Sequence, residues 1–462
     1  MRTVPIMALA HHVWYGEFCV VAPNGFSFCA DTLTRMVAMI EQPYTPTNLS
    51  RRINFPDKCK NATLHDSLIR KKIGTASSQR IIKGLAFSSG LKVFGLGKKT
   101  GYGFSDISDT IIARLLAKNI RAAYPATQSH RQFLISNTVS IMKECLAFNA
   151  FRYDIQNFYE SIDRKLLLER LVSDGRCTWQ TILLIQRLFL ILDIYDVPGL
   201  PRGLAVSGAL AEFRLLDFDQ TMRHNNDVFF FARFVDDILI ITSERCEEKS
   251  FDKIVVENLP EELCLHDGEK RTFLPVPAIH QSKKKNASIQ TYYTLSYLGY
   301  KIRISNNTTR DNALGNLRRD VLVDISDNKI EKLKTRLINS FTNYLASRKD
   351  HNDFRLLKNR LRAITGNYEI REPNTKITIK TGIYYSYIHK NTHIDCALIK
   401  LDNFLRNLLF SNYSSLSLRI IGALTKNQRK ELIGYNFSSG FKNKRFHSFS
   451  YRSFETIKRV WL

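Results

Sequence analysis

The run Phe229-Phe230-Phe231-Ala232-Arg233-Phe234-Val235-Asp236-Asp237-Ile238-Leu239-Ile240-Ile241-Thr242 constrains the fold of this chain more than any other segment. The aromatic and β-branched residues on both sides are strand formers suited to burial, so the run reads as a hairpin whose turn carries two adjacent carboxylates. Placing Asp236 and Asp237 at the edge of a core costs free energy, because like charges repel and ionised groups lose solvation there. A cation would offset that cost. Magnesium suits the donors, since Mg²⁺ takes carboxylate oxygens in octahedral geometry and shares its shell with phosphates. An isolated Asp-Asp pair is equally a polar β-turn, so the metal reading needs a further carboxylate.

Asp154 supplies it. In Phe151-Arg152-Tyr153-Asp154-Ile155-Gln156-Asn157-Phe158-Tyr159-Glu160-Ser161-Ile162 a short alternating strand runs into an acidic turn and then a helix beginning near Asp163. Three carboxylates can bridge two metal ions roughly 3.5–4 Å apart, and such a pair stabilises both the entering 3′-oxygen and the departing pyrophosphate oxygen of an in-line nucleotidyl transfer. On this reading Asp154 and Asp236 are the bridging ligands and the Ile155 carbonyl completes the second ion. Asp237 adds negative potential or a water-mediated contact. Loss of Asp154 or Asp236 is expected to abolish catalysis.

These segments resemble the palm motifs of reverse transcriptases. Asp154-Ile-x-x-x-Tyr159-x-Ser161-Ile162 is similar to the first palm motif, and Phe234-Val235-Asp236-Asp237 to the Tyr-x-Asp-Asp hairpin with Phe in place of Tyr. Between them, Gly199-Leu200-Pro201-Arg202-Gly203-Leu204-Ala205-Val206-Ser207 resembles the Leu-Pro-Gln-Gly-x-x-x-Ser motif with Arg202 for the usual Gln. Downstream, Leu295-Ser296-Tyr297-Leu298-Gly299-Tyr300 resembles the Phe-Leu-Gly primer-grip strand, and the stretch 265–271, with Lys270, sits where the family has a lysine-bearing loop. The order and spacing match over residues 131–303. The resemblance implies an α+β, right-hand polymerase fold: fingers, a palm with an antiparallel sheet, and a helical, basic thumb.

The same resemblance implies a nucleotide site. Tyr159 would be the bulky ring under the sugar that excludes a 2′-hydroxyl and so selects dNTPs; an ordinary core tyrosine is the alternative. Arg202, Gly203 and Val235 would line the same site. Gly199 and Gly203 flank Pro201 where the backbone would pass close to base and template, which suits residues without a Cβ. Arg202 could reach a phosphate or stack on a base. Arg131, in His130-Arg131-Gln132-Phe133, is the candidate triphosphate-binding residue of the fingers, or else a solvent-facing helical arginine. Lys270 would protonate the departing pyrophosphate, or be one more exposed lysine beside Arg271.

Composition agrees with a nucleic-acid enzyme. The 462 residues are 44% hydrophobic, enough for two or three domains with their own cores. The formal charge is +25, and residues 301–462 hold 31 Lys and Arg against 13 Asp and Glu, so most of the excess follows the palm. Counterion release makes such a surface bind polyanions; a solvated basic face is the alternative. The eight cysteines show no Cys-x-x-Cys and no paired Cys/His spacing, which argues against a zinc site or disulfides and for a reducing cytoplasm. The most apolar run, Ile182 to Leu192, is interrupted by Gln186 and Arg187 and is too short to span a bilayer, so it reads as a buried palm helix. Val4 to Ala10 only weakly mimics a signal peptide, and His11, His12 and Glu17 argue against one.

Four segments are expected along the chain. Residues 1–39 form an N-terminal extension without periodicity; family-like sequence begins near Gln42, so Met36 or Met39 is the expected working start. Residues 40–150 are helical, basic fingers, as in Leu64 to Lys72 and Ile107 to Lys118; 151–303 are the palm; 304–462 are the helical thumb and C-terminal region. From Lys329 to Leu345, Ile330, Leu333, Leu337, Phe341 and Tyr344 fall at helical spacing, leaving Lys332 and Arg336 to grip nucleic acid. A second basic helix, Asp353 to Ile364, breaks at Gly366-Asn367. Pro373-Asn374 opens an irregular segment ending in Gly382 to Tyr387, whose tyrosines stack on bases or pack the thumb core. Residues 394–410 form a further amphipathic helix.

The Pro201-Arg202-Gly203-Leu204 motif, Leu356-Leu357-Lys358-Asn359-Arg360 and Gly382-Ile383-Tyr384-Tyr385-Ser386-Tyr387 resemble bacterial antiphage-defence reverse transcriptases of the unknown-group and abortive-infection kind, and within that set the smaller, A-type enzyme of the type 3 defence system. The resemblance implies a non-coding RNA template, a DNA product made from dNTPs, two Mg²⁺ ions, a bacterial cytoplasm without membrane contact, and a homo-oligomer or a complex with a second reverse transcriptase. Two other readings stay open: a template-independent or protein-primed DNA polymerase, and an RNA-binding assembly subunit with a vestigial palm.

Overall fold

The structure, a computed structural model, describes residues 42–97, 99–125, 130–279, 292–310, 317–371, 378–391 and 396–461. The expected extension 1–39 with its Met36 and Met39, and the Pro373-Asn374 segment, lie outside these residues. The fold is mixed α+β. A hairpin of β1 (Leu91–Leu96) and β2 (Lys99–Phe104) precedes a central antiparallel sheet of β3 (Phe148–Asp154), β4 (Val228–Phe234), β5 (Asp237–Ser243) and β6 (Thr272–Val276) in the order β4-β5-β3-β6.

Alternation along these strands sends side chains to two cores. Phe151, Tyr153, Ile238 and Ile240 enter one, shared with the helices Ile107–Ala123, Trp179–Ile194 and Ala205–Arg214. Phe148, Ala150, Leu239 and Ile241 enter the other. There they meet an antiparallel sheet of β7 (Tyr292–Tyr297), β8 (Tyr300–Arg310) and β9 (Leu317–Ile325) and the C-terminal helices. Burial on both faces explains why Ile238 to Ile241 is apolar without interruption. The helix Trp179–Ile194 is buried along one face only, and Leu183, Leu190 and Ile194 are exposed on the other.

The helix Asp327–Leu345 buries Ile330, Leu333, Leu337, Phe341 and Tyr344, the five positions given by the spacing, and packs on the helix His351–Thr365. Three expectations need correction. The segment 40–150 is not purely helical, because it contains β1 and β2. The expected palm end at 303 falls inside β8, whose pairing with β9 continues the sheet to Ile325. The C-terminal region is not all helical either: β10 (Asn367–Arg371), β11 (Thr378–Gly382) and β12 (Phe446–Ser450) form a sheet in the order β11-β10-β12, with β10 and β12 parallel. The helix Phe437–Lys442 packs on the end of the helix His351–Thr365, where a Cβ on Gly440 would run into the Thr365 carbonyl. Among the described residues no helix is long and apolar enough to cross a membrane.

Candidate active site

Phe234 pairs with Asp237, so Val235 and Asp236 form a two-residue hairpin turn. Val235 has φ 64°, the left-handed region that a β-branched residue enters only under strain. A positive φ at the first turn position alone matches the type II′ class, which favours Gly there. Across the sheet Asp154 is the register partner of Asp237, and the Ile155 N–H donates to the Asp236 carbonyl at 3.0 Å. The strand end and the turn therefore bring Asp154, Asp236 and Asp237 together. Burial holds the Asp236 and Asp237 carboxyls above their usual range, and the charge of Asp154 pushes both the same way.

Internal cations meet two of the three carboxylates. Arg152 grips Asp237 with both arms, Nε to Oδ1 at 2.9 Å and a terminal nitrogen to Oδ2 at 3.1 Å. Lys270 Nζ lies 2.9 Å and His266 Nε2 3.3 Å from Asp154 Oδ1. Lys270 is therefore placed on a carboxylate rather than standing free beside Arg271. Asp236 makes no ion pair among the described residues. No three Asp, Glu, His or Cys among them stand converged as a ready metal cage. The donor chemistry nonetheless suits a hard divalent ion: Asp236 at the turn is partly buried and without an ion pair, and Asp154 and Asp237 stand at the adjoining strand ends.

Cations line the same cleft as these carboxylates. Asp154, Asp236 and Asp237 share a cleft of about 490 Å³ with Arg131, Lys329, Lys332 and Arg336. Burial lowers the Lys329 ammonium below its ordinary range, and Lys332, Arg131 and Arg336 add to the shift by repulsion. Lys329, Lys332 and Arg336 follow an i, i+3, i+7 spacing on the helix Asp327–Leu345 and so share one face. That spacing was the available signal for Lys329, which composition alone does not single out. Arg131 is neither solvent-facing nor free for a triphosphate: Nε donates to the Leu298 carbonyl at 2.8 Å, a terminal nitrogen donates to the Ser386 carbonyl at 2.7 Å, and the guanidinium lies over Tyr300. Tyr387 is buried against Tyr300, so this tyrosine packs the core rather than stacking on bases.

The remaining site residues gather near the helix Phe158–Ser161. Arg202 pairs with both oxygens of Glu160, at 2.6 and 3.0 Å, and lies over the Tyr159 ring. Glu160 was not anticipated; its place beside Tyr159 in the acidic turn after Asp154 was the only hint. Tyr159 is half-buried, and burial raises its hydroxyl, reinforced by the charges of Glu212 and Asp236. Gly199 and Gly203 have φ 53° and 98°. A Cβ would collide with the Tyr159 and Glu160 carbonyls at Gly199, and would lie 2.6 Å from the Tyr102 carbonyl at Gly203. The close approach these glycines allow is to protein backbone. The Tyr102 N–H also donates to the Arg202 carbonyl at 2.7 Å, which docks the unanticipated β1–β2 hairpin on this motif.

No protein-family model matches the sequence, and no curated protein matches it. Among solved structures, one similar chain is in the structure of telomerase from Candida albicans in complex with a TWJ fragment of telomeric RNA, at 12% identity and a TM-score of 0.28. The match covers 76% of this chain and 53% of that one, so this chain spans about half the length of its neighbour.

Proposed function

We propose that the chain is an RNA-directed DNA polymerase. The observation that supports it best is the cleft shared by Asp154, Asp236 and Asp237 with Lys329, Lys332 and Arg336: carboxylates able to hold cations beside cations able to hold phosphates. In this reading residues 40–150 act as fingers, the central sheet as palm and the helices after β9 as thumb. Bound Mg²⁺ would supply Lewis-acid stabilisation of the entering and leaving oxygens. Asp154 and Asp236 hold the ions, and Asp237 stays fixed on Arg152. Tyr159 sits beneath the sugar, and Glu160 aims Arg202 along the nucleotide site. The helix face of Lys329, Lys332 and Arg336 steers the template–product backbone. The finer assignment, DNA synthesis on a non-coding RNA in bacterial antiphage defence, rests on the motif resemblance alone, as do a cytoplasmic location and a second reverse transcriptase as partner.

Purified protein given its RNA, Mg²⁺ and dNTPs is expected to incorporate nucleotide, and Asp236→Asn with Asp237→Asn to remove incorporation while the protein still folds. Undiminished incorporation by that variant refutes the site. Sequencing the copurifying nucleic acid and the product separates templated from template-independent or protein-primed synthesis. A second reading, an RNA-binding subunit with an inactive palm, draws on the contacts of Asp154 with Lys270 and His266. It predicts RNA binding without Mg²⁺-dependent incorporation.

A further inference from the structure

Arg233 lies two residues before the strained turn position, and its side chain is buried. All five of its N–H donors are used. Nε donates to Asp219 Oδ1 at 2.7 Å; one terminal nitrogen donates to Glu212 Oε2 and Asp219 Oδ2, each at 2.7 Å. The other terminal nitrogen donates to Glu212 Oε1 at 3.2 Å and to the Val235 carbonyl at 2.9 Å. Glu212 belongs to the helix Ala205–Arg214, which continues the Gly199–Ser207 motif, and Asp219 to the helix Leu216–His224. Arg223, 3.9 Å from Asp219, supplies the second positive charge, so two guanidiniums balance two carboxylates beneath the turn.

We propose that Arg233 is a positioning residue for Asp236: the guanidinium, fixed on Glu212 and Asp219, holds the Val235 carbonyl and with it the left-handed backbone from which Asp236 projects. The inference rests on the polymerase reading for its consequence in catalysis, but not for its geometry. A valine at φ 64° persists only where its surroundings over-determine it. Two contacts do so from opposite sides, Arg233 on the Val235 carbonyl and the Ile155 N–H on the Asp236 carbonyl. Because Glu212 extends the helix after the Arg202 motif, the same network ties the nucleotide-side segment to the carboxylate turn.

Removing Arg233 alone would strand two buried carboxylates and endanger folding. The test is therefore the near-isosteric neutral set Arg233→Met, Glu212→Gln and Asp219→Asn, which removes the donor to Val235 together with the charges that required it. The expected result is a cooperatively folded protein, with faster hydrogen exchange at the Ile155 amide while the β3–β5 ladder amides Ile238 and Ile240 keep their protection. In incorporation assays kcat is expected to fall about 10²-fold, the size of effect a misplaced reacting group produces, while KM for dNTP changes little. Adding Val235→Gly, which relieves the strain, is expected to recover part of kcat. Wild-type protection at Ile155 in the folded neutral set would overturn the proposal, as would an unchanged kcat in an active enzyme. An inactive wild type would count against the polymerase reading, and the exchange measurement would still decide the role of Arg233. If the neutral set fails to fold, Arg233→Lys decides by the same exchange readout: it keeps the charge but cannot reach both carboxylates and the carbonyl, so Ile155 protection equal to wild type overturns the proposal.

Discussion

Neutralising Lys332 and Arg336 should change how the protein's RNA affinity responds to salt, by an amount set by the cleft. Lys329, Lys332 and Arg336 line the cleft beside the carboxylates, and none pairs with a carboxylate among the described residues. If each meets one phosphate, the three contribute a slope in log K against log salt of about −2.1 on a single strand and about −2.7 on a duplex. Lys332→Gln with Arg336→Gln removes two thirds of that, flattening the total slope by about 1.4 to 1.8. Between about 50 and 200 mM salt their share of the affinity loss would drop from about 18–42-fold to about 3-fold. Fluorescence anisotropy of a labelled RNA at several salt concentrations reads both quantities. Lys332 is exposed, and Arg336 makes a ring contact with Trp461, 5.4 Å from its centroid, so the melting temperature serves as a control on packing. A slope equal to wild type refutes the reasoning. A salt-independent loss of affinity with a lowered melting temperature would show that Arg336 holds the Trp461 end of the chain rather than a phosphate.

Tyr159→Ala is expected to raise the use of rNTPs relative to dNTPs by removing a steric barrier, and an unchanged ratio in single-nucleotide assays would leave Tyr159 as a core residue only. Gly440→Ala is expected to destabilise the fold by about 2 kcal/mol or more, since the added methyl meets the Thr365 carbonyl; a denaturant midpoint equal to wild type would contradict the packing of the helix Phe437–Lys442 on the end of the helix His351–Thr365. Burial, with Arg362 and Arg445 nearby, pushes the His447 imidazole down from 6.5 to about 4. A depressed folded pKa means that its contribution to stability is present above 6.5 and is lost as pH falls toward 4. His447→Phe should therefore flatten the acid limb of the stability curve between pH 6.5 and about 4, and an acid limb identical to wild type in thermal melts would refute this.

Local features were legible in the sequence because their signal is local. The apolar spacing of Ile330 to Tyr344 fixed the buried face of its helix, and the strand-forming residues around Asp236-Asp237 fixed a hairpin, both as observed. Asp163 caps the helix Arg164–Asp174 by accepting from the Lys165 and Leu166 amides, where the acidic turn was expected to give way to helix. What escaped depends on partners far along the chain. The parallel pairing of Asn367 with Phe446 joins segments far apart along the chain, which no local pattern announces. The strain at Val235 is invisible in the letters, since valine is a good strand former, and appears only once the hairpin is counted as a two-residue turn.

The basic residues show the same limit most clearly. Counting charge placed the excess after the palm, and motif order brought Arg131, Arg202 and Lys270 forward as ligands for nucleotide. In the fold, Arg152, Arg202 and Arg233 are held by carboxylates, Arg131 by carbonyls, and Lys270 by Asp154. Each is a cation whose first partner is protein, so its contact with a nucleotide would require displacement or sharing of that partner. Lys329, Lys332 and Arg336 differ: they crowd one another on a single helix face, and an anion entering the cleft would offset their mutual repulsion. The fold thus divides the positive charge into a share that orients the site's carboxylates and turn, and a share left over for phosphate; only the second should appear in the salt dependence of binding.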